Sequence, residues 1–184
     1  MTREKSNLAA SVRQRLLNLA RATDRPFNEL LQYFAMERFL YRLSCSPHTH
    51  RFVLKGGLLL ASWRLPLTRP TKDIDLLGAM ANHVDAMVAV FQEVCSQKVE
   101  QDGMEFDPAS VVGERIAEEA EYGGVRVRSR GVLGTARVTM QIDVGFGDAV
   151  VPAPIWVDYP GLLDLPPPRI RGYTPESVVA EKFH

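Results

Sequence analysis

Cysteine is scarce in this chain: Cys45 and Cys95 are its two cysteines, and their spacing is typical of neither a disulfide framework nor a zinc site. Since small exported domains usually depend on paired cysteines, this scarcity favours a reducing, cytoplasmic setting. The N-terminal segment lacks the apolar stretch of a signal peptide, and no later hydrophobic run approaches the length that spans a bilayer. The sequence therefore predicts a cytoplasmic protein with no membrane partner.

The chain also lacks an excess of charge of either sign. Basic and acidic residues both number 22, so the formal net charge is zero. A nucleic-acid partner would have to be met by a local basic patch, because the overall field provides no attraction. With 46% hydrophobic and 24% charged residues, the composition is that of an ordinary globular protein and not of a disordered or fibrous one. The length suits one well-buried domain.

Hydrophobic residues recur at helical spacing in several segments. A break at Arg25-Pro26 separates the first two segments, and Ser46-Pro47 ends the second, because a residue before proline disfavours helical backbone. Thr174-Pro175 combines a capping residue with a proline at the first helical position. We therefore expect helices over residues 7–22, 27–43, 57–65, 82–97 and 175–184.

Short segments of alternating character, bounded by glycine or proline, predict strands. These are RFVLKGG, DIDLLG, GGVRVRSR and TARVTMQIDVGFGD, and GVLG would join the last two into a hairpin. Residues 102–121 are compatible with a short helix or with short strands, and the proline-rich stretch after residue 150 is expected to be a surface connection. We expect an N-terminal helical segment (1–50), a core with a small mixed sheet (51–150) and a connection leading into a C-terminal helical region (151–184).

Two aspartates stand one residue apart in RPTKDIDLLG. Alternate side chains of a strand point to opposite faces, so Asp73 and Asp75 would share one face while the neighbouring isoleucine and leucine enter the core. In TARVTMQIDVGF the even positions are apolar and the odd positions are polar, which puts Asp143 on the exposed face of its strand. If the two strands are neighbours in one sheet, three carboxylates converge on one patch.

A carboxylate cluster of this kind is costly without cations, because like charges at close range repel and raise one another's pKa. Mg²⁺ takes one or two protein carboxylates and completes its octahedron with water and substrate phosphates. A pair of carboxylates at i and i+2, with a third from the next strand, suits metals that clamp a phosphoryl displacement. The alternative is a solvated strand face with Asp143 elsewhere, and DxD alone is too common to exclude it.

A glycine pair, Gly56-Gly57, lies between a predicted strand and a predicted helix. Glycines let the backbone approach a ligand, and the start of a helix offers free N–H groups to phosphate. Lys55 would add a positive charge. The pair alone is also typical of a plain tight turn, but strand, glycine pair, helix, extended linker and DxD form a more specific order.

The order KGG…RPTKDID resembles the minimal signature of the DNA polymerase β nucleotidyltransferase superfamily. More closely, the chain resembles the AbiEii (abortive-infection AbiE-type) toxin family, through ERFLYRLS, RFVLKGGLLL, RPTKDIDLLG, EYGGVRVR, QIDVGFGDAV and TPESVVAEKF. The resemblance implies an α/β (α+β) fold with a polymerase-β-like nucleotidyltransferase core. The implied reaction transfers a nucleoside monophosphate from an NTP to an acceptor, with Mg²⁺ or Mn²⁺ as cofactor.

Roles for individual residues follow from this resemblance. Asp73 and Asp75 would bind the metals, and Lys182 in the AEK motif matches the essential lysine of the family, although a solvated helix residue is the alternative. Asp143 as third carboxylate and metal ligand rests on strand parity, and Asp148 in GFGD is the competing candidate. The nucleotide-binding residues would be Lys55, Gly56, Gly57, Arg69 and Thr71.

Partners are implied by the family alone. Its members suggest tRNA or another RNA as acceptor and a cognate antitoxin that restrains the enzyme. They also continue past AEK into a helical C-terminal region with a further aspartate, whereas this chain stops at Phe183-His184. The resemblance therefore implies a truncated C-terminal region, and it leaves open whether this stretch is active on its own.

The segment GGVRVRSR alternates valines with Arg126, Arg128 and Arg130, so one face would carry an arginine ladder that Arg137 joins from the next strand. The planar fork of arginine suits phosphate, and contacts with an RNA backbone would fall here and on the basic N-terminal helix. The ladder is equally typical of an edge strand that is charged against edge-to-edge pairing.

The sequence thus predicts a nucleotidyltransferase toxin of a type IV-like toxin–antitoxin or abortive-infection system. Two other functions stay open, namely modification of a protein hydroxyl and binding of nucleotide or a partner without turnover. The glycine pair and the two aspartates argue against the last, since a degenerate site has no need of a like-charge pair.

Overall fold

A computed structural model of the chain describes residues 3–63, 70–116, 123–147 and 150–182. Helices occupy α1 (Arg3–Thr23), α2 (Phe27–Cys45), α3 (Gly56–Ser62), α4 (Val84–Ser96) and α5 (Pro175–Lys182), with a 3-10 turn at Thr49–Arg51. Strands occupy β1 (Phe52–Lys55), β2 (Asp73–Gly78), β3 (Met104–Ile116), β4 (Gly124–Leu133), β5 (Ala136–Phe146), β6 (Ile155–Asp158) and β7 (Arg169–Gly172).

The helices begin and end where the sequence provides local signals. Helix α2 follows Pro26 and ends before Ser46, whose successor is a proline that disfavours helical backbone at Ser46. Helix α5 begins behind Thr174, whose Oγ1 accepts a hydrogen bond from the Ser177 backbone N–H at 3.3 Å. These two positions confirm the sequence-based predictions, whereas α1 begins at Arg3, earlier than the predicted start at residue 7.

The seven strands form one mixed sheet in the order β3-β4-β5-β2-β1-β7-β6. β3, β4 and β5 pair antiparallel, β2 runs parallel to β5 and antiparallel to β1, and β7 runs parallel to β1 and antiparallel to β6. The β4–β5 hairpin turns at Gly134-Thr135, where Leu133 pairs with Ala136 and Gly134 has φ +62°, a conformation that glycine adopts without strain. Most of GVLG therefore belongs to β4 and is not a connection.

Helices α1, α2 and α4 cover the buried face of β3, β4 and β5. Helix α4 packs on β3 and β4, α2 packs on β5, and α1 contacts β4. Their apolar side chains form one core with buried alternate residues of the strands, such as Ile74, Leu76 and Ile142. On the opposite face of β4 and β5 the polar residues are half-buried or exposed. Within the described ranges, no helix has both the length and the apolar character needed to cross a bilayer.

Three segments differ from the expectations. Of the ambiguous residues, Met104–Ile116 form the long strand β3. Its register against β4 breaks between Asp107 and Val112, around Pro108, which has no N–H to donate. The surface connection predicted after residue 150 is wrong in part, because the stretch contains β6 and β7. The edge-strand interpretation of the arginine ladder is wrong, since β4 lies between β3 and β5. The division at residues 50 and 150 stays a prediction.

Candidate active site

The centre of the sheet brings the predicted carboxylates together. Asp75 of β2 pairs directly with Asp143 of the parallel strand β5, and Asp73 pairs with Gln141. Both aspartates of β2 are half-buried, and Ile74 between them is fully buried. Asp73, Asp75 and Asp143 therefore share one face of the sheet, the arrangement that strand parity predicts for neighbouring strands.

This grouping changes the protonation of Asp75. Burial is the largest influence, and the charges of Asp143 and Asp73 act in the same direction, so the pKa of Asp75 rises to about 6. Lys55, which lies opposite Asp75 on β1, lowers the pKa but does not cancel these effects. A bound cation would relieve the repulsion, because a positive charge favours the ionised carboxylates.

Asp143 is paired with an arginine that faces it across the hairpin. Arg126 of β4 lies opposite Asp143 and donates from Nε to Oδ1 and from Nη2 to Oδ2, both at 2.8 Å. Gln141 Nε2 lies 3.4 Å from the same Oδ2. A bidentate pair of this kind fixes the plane of the carboxylate as well as its position.

The glycine pair packs directly against the aspartate strand and the residues before it. Gly56 has φ +65°, and a Cβ placed on it would lie 2.1 Å from Oδ2 of Asp75. A Cβ placed on Gly57 would lie 2.9 Å from Cβ of Thr71. Both distances are shorter than packed atoms tolerate, so the close approach of the β1–α3 turn to β2 requires glycine at both positions.

Lys55 ends β1 beside this turn and is paired with a residue of α5. Its Nζ donates to Oε1 of Glu181 at 2.5 Å. Burial lowers the pKa of Lys55, but the hydrogen bond and the charge of Glu181 outweigh burial, and the net shift is upward. The charge of Glu181 also raises the pKa of Asp75, so Glu181 belongs to the same electrostatic group.

Helix α2 holds the segment that leads into β2. The hydroxyl of Tyr33 accepts a hydrogen bond from the backbone N–H of Thr71 at 3.0 Å. Gln32 Nε2 donates to the backbone oxygens of Lys72 and Thr139, each at 3.3 Å. The sequence carries no motif that would have identified Tyr33 or Gln32, because both act through backbone groups distant along the chain.

The structure places six of the predicted site residues at the junction of β1, α3, β2 and β5, and these are Lys55, Gly56, Gly57, Asp73, Asp75 and Asp143, with Thr71 just before β2. Arg69 and Asp148 lie outside the described residues. Lys182 ends α5, and its side chain is outside the described part of the chain.

The donors at this site fit a divalent metal ion in chemical type, since carboxylate oxygens are the ligands that Mg²⁺ prefers. Across the described ranges, no group of three or more His, Cys, Asp or Glu side chains is already arranged as a metal site. Arg126 occupies both oxygens of Asp143 in this arrangement. Asp73, Asp75 and Asp143 supply carboxylate oxygens of the type that such an ion needs, and their roles as ligands stay predictions.

One of two similar solved structures shares this fold. JHP933 from Helicobacter pylori matches with a TM-score of 0.50 over 84% of this chain and 56% of that chain, at 16% sequence identity, which shows the fold alone. A second H. pylori structure, provisionally named a nucleotidyltransferase, matches with a TM-score of 0.45 over 84% of this chain and 57% of that one, also at 16% identity. The chain thus spans little more than half the length of these structures.

The helices and strands define a mixed α/β protein with clustered carboxylates at the centre of its sheet. No curated protein matches the chain significantly in sequence. The family described as nucleotidyl transferase AbiEii toxin, Type IV TA system, matches residues 38–184. The chain belongs to the AbiEii nucleotidyltransferase toxin family, which confirms the family assigned from the motifs, while the roles of individual residues stay predictions.

Proposed function

We propose that this chain carries the transfer site of a metal-dependent nucleotidyltransferase toxin. The enzyme transfers a nucleoside monophosphate from an NTP to a hydroxyl of tRNA or another RNA and releases pyrophosphate. One observation carries the proposal. The glycine turn and the carboxylate pair, two separate features of the sequence, pack together with no room for one methyl group between Gly56 and Asp75.

Asp73 and Asp75 would hold Mg²⁺ or Mn²⁺, which supplies charge stabilisation to the phosphoryl oxygens during an in-line displacement. Gly56 and Gly57 let the triphosphate approach the backbone closely. Asp143 lies on the same face, where it accepts the proton of the attacking hydroxyl as the new O–P bond forms and pyrophosphate leaves. Further contacts with the nucleotide are proposed for Lys55, Arg69, Thr71 and Lys182.

Exposed arginines on the face of the sheet that carries the carboxylates support an RNA acceptor. Arg128 and Arg130 lie on the same face of β4 as Arg126, and Arg137 is exposed on β5. Arg128 pairs with Glu114 at 2.8 Å, but both side chains are exposed, so this ion pair exchanges readily for a phosphate. A cognate antitoxin is the partner that family membership supports, and the proposed place of action is the cytoplasm, where NTPs and tRNA occur together.

The test uses the purified protein with Mg²⁺ and each α-³²P-labelled NTP in turn, with total RNA and soluble protein offered together as acceptors. Label is expected in small RNA. Asp75→Asn should reduce it by more than about a hundredfold, because the loss of a partner outside the ligand shell of a metal already costs up to about a hundredfold. Asp158→Asn, an exposed carboxylate at the far edge of the sheet, is the matched control and should leave labelling unchanged.

Two results would overturn parts of this proposal. Label that appears only in protein would replace the RNA acceptor by a protein hydroxyl. Binding of NTP by the wild-type protein with no label in either fraction would overturn the transfer reaction and leave a nucleotide-binding module.

A further inference from the structure

Glu181 of α5 forms an ion pair with Lys55, the last residue of β1. The side chain of Lys55 is 24% exposed and that of Glu181 is 45% exposed, and their Nζ and Oε1 atoms are 2.5 Å apart. Neither residue has another ion pair among the described residues. The pair therefore joins α5 to the strand that leads into the glycine turn.

The ammonium of Lys55 lies beside the carboxylates and does not point away from them. Lys55 is in register with Asp75 on β2. Its Nζ also lies 3.8 Å from the position that a Cβ on Gly145 would take, and Gly145 follows Asp143 by two residues on β5. The lysine side chain thus extends across β2 towards β5, over the face on which the proposed nucleotide binds.

Helix α5 reaches Lys55 because the preceding strand fixes its start. Leu54 pairs with Gly172 at the end of β7, and the backbone N–H of Tyr173 donates to the Leu54 oxygen at 3.1 Å. Thr174 then caps the helix, and Glu181 follows about two turns later. The position of Glu181 over Lys55 is set by this anchored helix.

We propose that Glu181 is a positioning residue of the nucleotide site. In the empty site it holds the Lys55 ammonium over the carboxylate face, and an incoming triphosphate displaces the Glu181 carboxylate from Lys55. The inference rests on the proposed function, because it requires Lys55 to bind phosphate oxygens. A triphosphate and Glu181 are both anionic, so they compete for the same ammonium and repel each other. The partly exposed Glu181 can turn to solvent at little cost, since ion pairs of this kind contribute little.

Removing the charge of Glu181 should therefore tighten nucleotide binding. Glu181→Gln leaves the Lys55 ammonium available and removes a negative charge next to the phosphates. The expected gain in affinity is roughly three- to tenfold, the range that a partly exposed ion pair provides. If Glu181 instead stayed on Lys55 and supported it in the bound state, the same change would weaken binding.

The experiment measures the Kd of a Mg²⁺–NTP analogue with a non-hydrolysable α,β-bridge by isothermal titration calorimetry. The proteins are wild type, Glu181→Gln, Lys55→Gln and the double variant, each checked for an unchanged thermal melt. Glu176→Gln is the matched control, because it removes a carboxylate from the first turn of the same helix. It should change the Kd by less than about twofold.

The double variant separates the ion pair from a general charge effect. We expect Glu181→Gln to tighten binding in wild type but to add little in the Lys55→Gln background, where the ammonium is gone. An unchanged or weaker affinity of Glu181→Gln, or an equal gain in both backgrounds, overturns the inference while the proposed function stands. Absence of NTP binding by both wild type and Glu181→Gln overturns both.

Discussion

Two groups of charged side chains in this molecule are built in opposite ways. The first, which we call the α2 network, is closed to solvent, with no member more than 6% exposed. Arg42 donates to both oxygens of Asp102 at 2.8 and 3.0 Å, and Arg38 donates to Oε1 of Glu37 at 2.5 Å. Two arginines face two acids, so the charges balance without any ligand.

The second group, which we call the sheet-face site, is partly open to solvent, and its described carboxylates outnumber its described cations. Among the described residues it contains four carboxylates and two cations, namely Asp73, Asp75, Asp143, Glu181, Lys55 and Arg126. The four charges of the α2 network balance one another, whereas the excess of described carboxylates at the sheet-face site is relieved by a further cation or by uptake of a proton. The α2 network lies within the buried part of the fold, whereas the carboxylates of the sheet-face site are the ones that we propose for a ligand.

Breaking the balance of the α2 network should have the largest effect on stability. Arg42→Met leaves Asp102 buried without its partner and removes the donor to the Met104 backbone oxygen. We expect the free energy of unfolding to fall by about 3–5 kcal/mol, measured by urea denaturation. Arg130→Met, an exposed arginine, is the matched control and should stay within about 0.5 kcal/mol of wild type. A similar loss in both variants would contradict the assignment of a structural role.

Adding one methyl group at the glycine turn should damage the sheet-face site more than the fold. Gly56→Ala places an L side chain at φ +65° and against Oδ2 of Asp75. We expect a loss of about 1–3 kcal/mol in unfolding free energy and a loss of NTP binding. Gly147→Ala is the matched control, because its added Cβ meets no atom within 4 Å. Normal NTP binding by Gly56→Ala would show that the close contact is dispensable.

Removing one charge from the sheet-face site should stabilise the protein, the reverse of the result in the α2 network. Asp75→Asn relieves the repulsion that raises its pKa, and we expect a gain of about 1 kcal/mol at pH 7, kept small because water screens a half-buried group. The folded pKa lies above the usual value, so wild-type stability relative to Asp75→Asn falls as pH rises from 3.8 to about 6.

The gain should disappear in two conditions that can be measured by thermal unfolding. Below pH 3.8 Asp75 is protonated in both states, and with saturating Mg²⁺ the ion compensates the repulsion. Asp158→Asn should show neither effect, because its carboxylate is exposed at the far edge of the sheet. A destabilised Asp75→Asn at pH 7 without metal would mean that the site is balanced by a cation in its own chain.

The smallest effect on stability is expected for Arg128, which lies on the same face of β4 as Arg126. Arg128→Gln removes one exposed cation, so stability should stay within about 0.5 kcal/mol. RNA affinity, measured by fluorescence anisotropy over a salt series, should fall with a salt slope reduced by about 1. Arg169→Gln, an exposed arginine on β7, should leave the slope unchanged. Equal slopes for all three proteins would remove β4 from the RNA-binding surface.

The parts of the site that the sequence predicted are those governed by local periodicity. Successive side chains of a strand point to opposite faces. The shared orientation of Asp73 and Asp75, and the face of β5 to which Asp143 points, therefore follow from residue parity alone. Proline and glycine likewise marked the starts of α2 and α5 and the β1–α3 turn. These features depend on neighbours within a few residues.

The parts that were missed depend on register and on distant contacts. With a two-residue turn at Gly134-Thr135, counting back along both strands puts Arg126 opposite Asp143. The predicted connection GVLG is longer and gives no such register. No count along the sequence connects Glu181 with Lys55, because their contact depends on β7 joining β1. Strands β6 and β7 were not predicted, because the prolines around them are more typical of a connection than of a strand.

The contact between Gly56 and Asp75 also imposes an order on sequence change. A descendant chain cannot accept a side chain at position 56 while the aspartate stays at its present depth, since the added Cβ would lie 2.1 Å from Oδ2. The reverse order is open, because a smaller residue at position 75 makes room first. Loss of this site by substitution therefore begins at position 75. A chain that keeps Asp75 has a strong steric reason to keep Gly56.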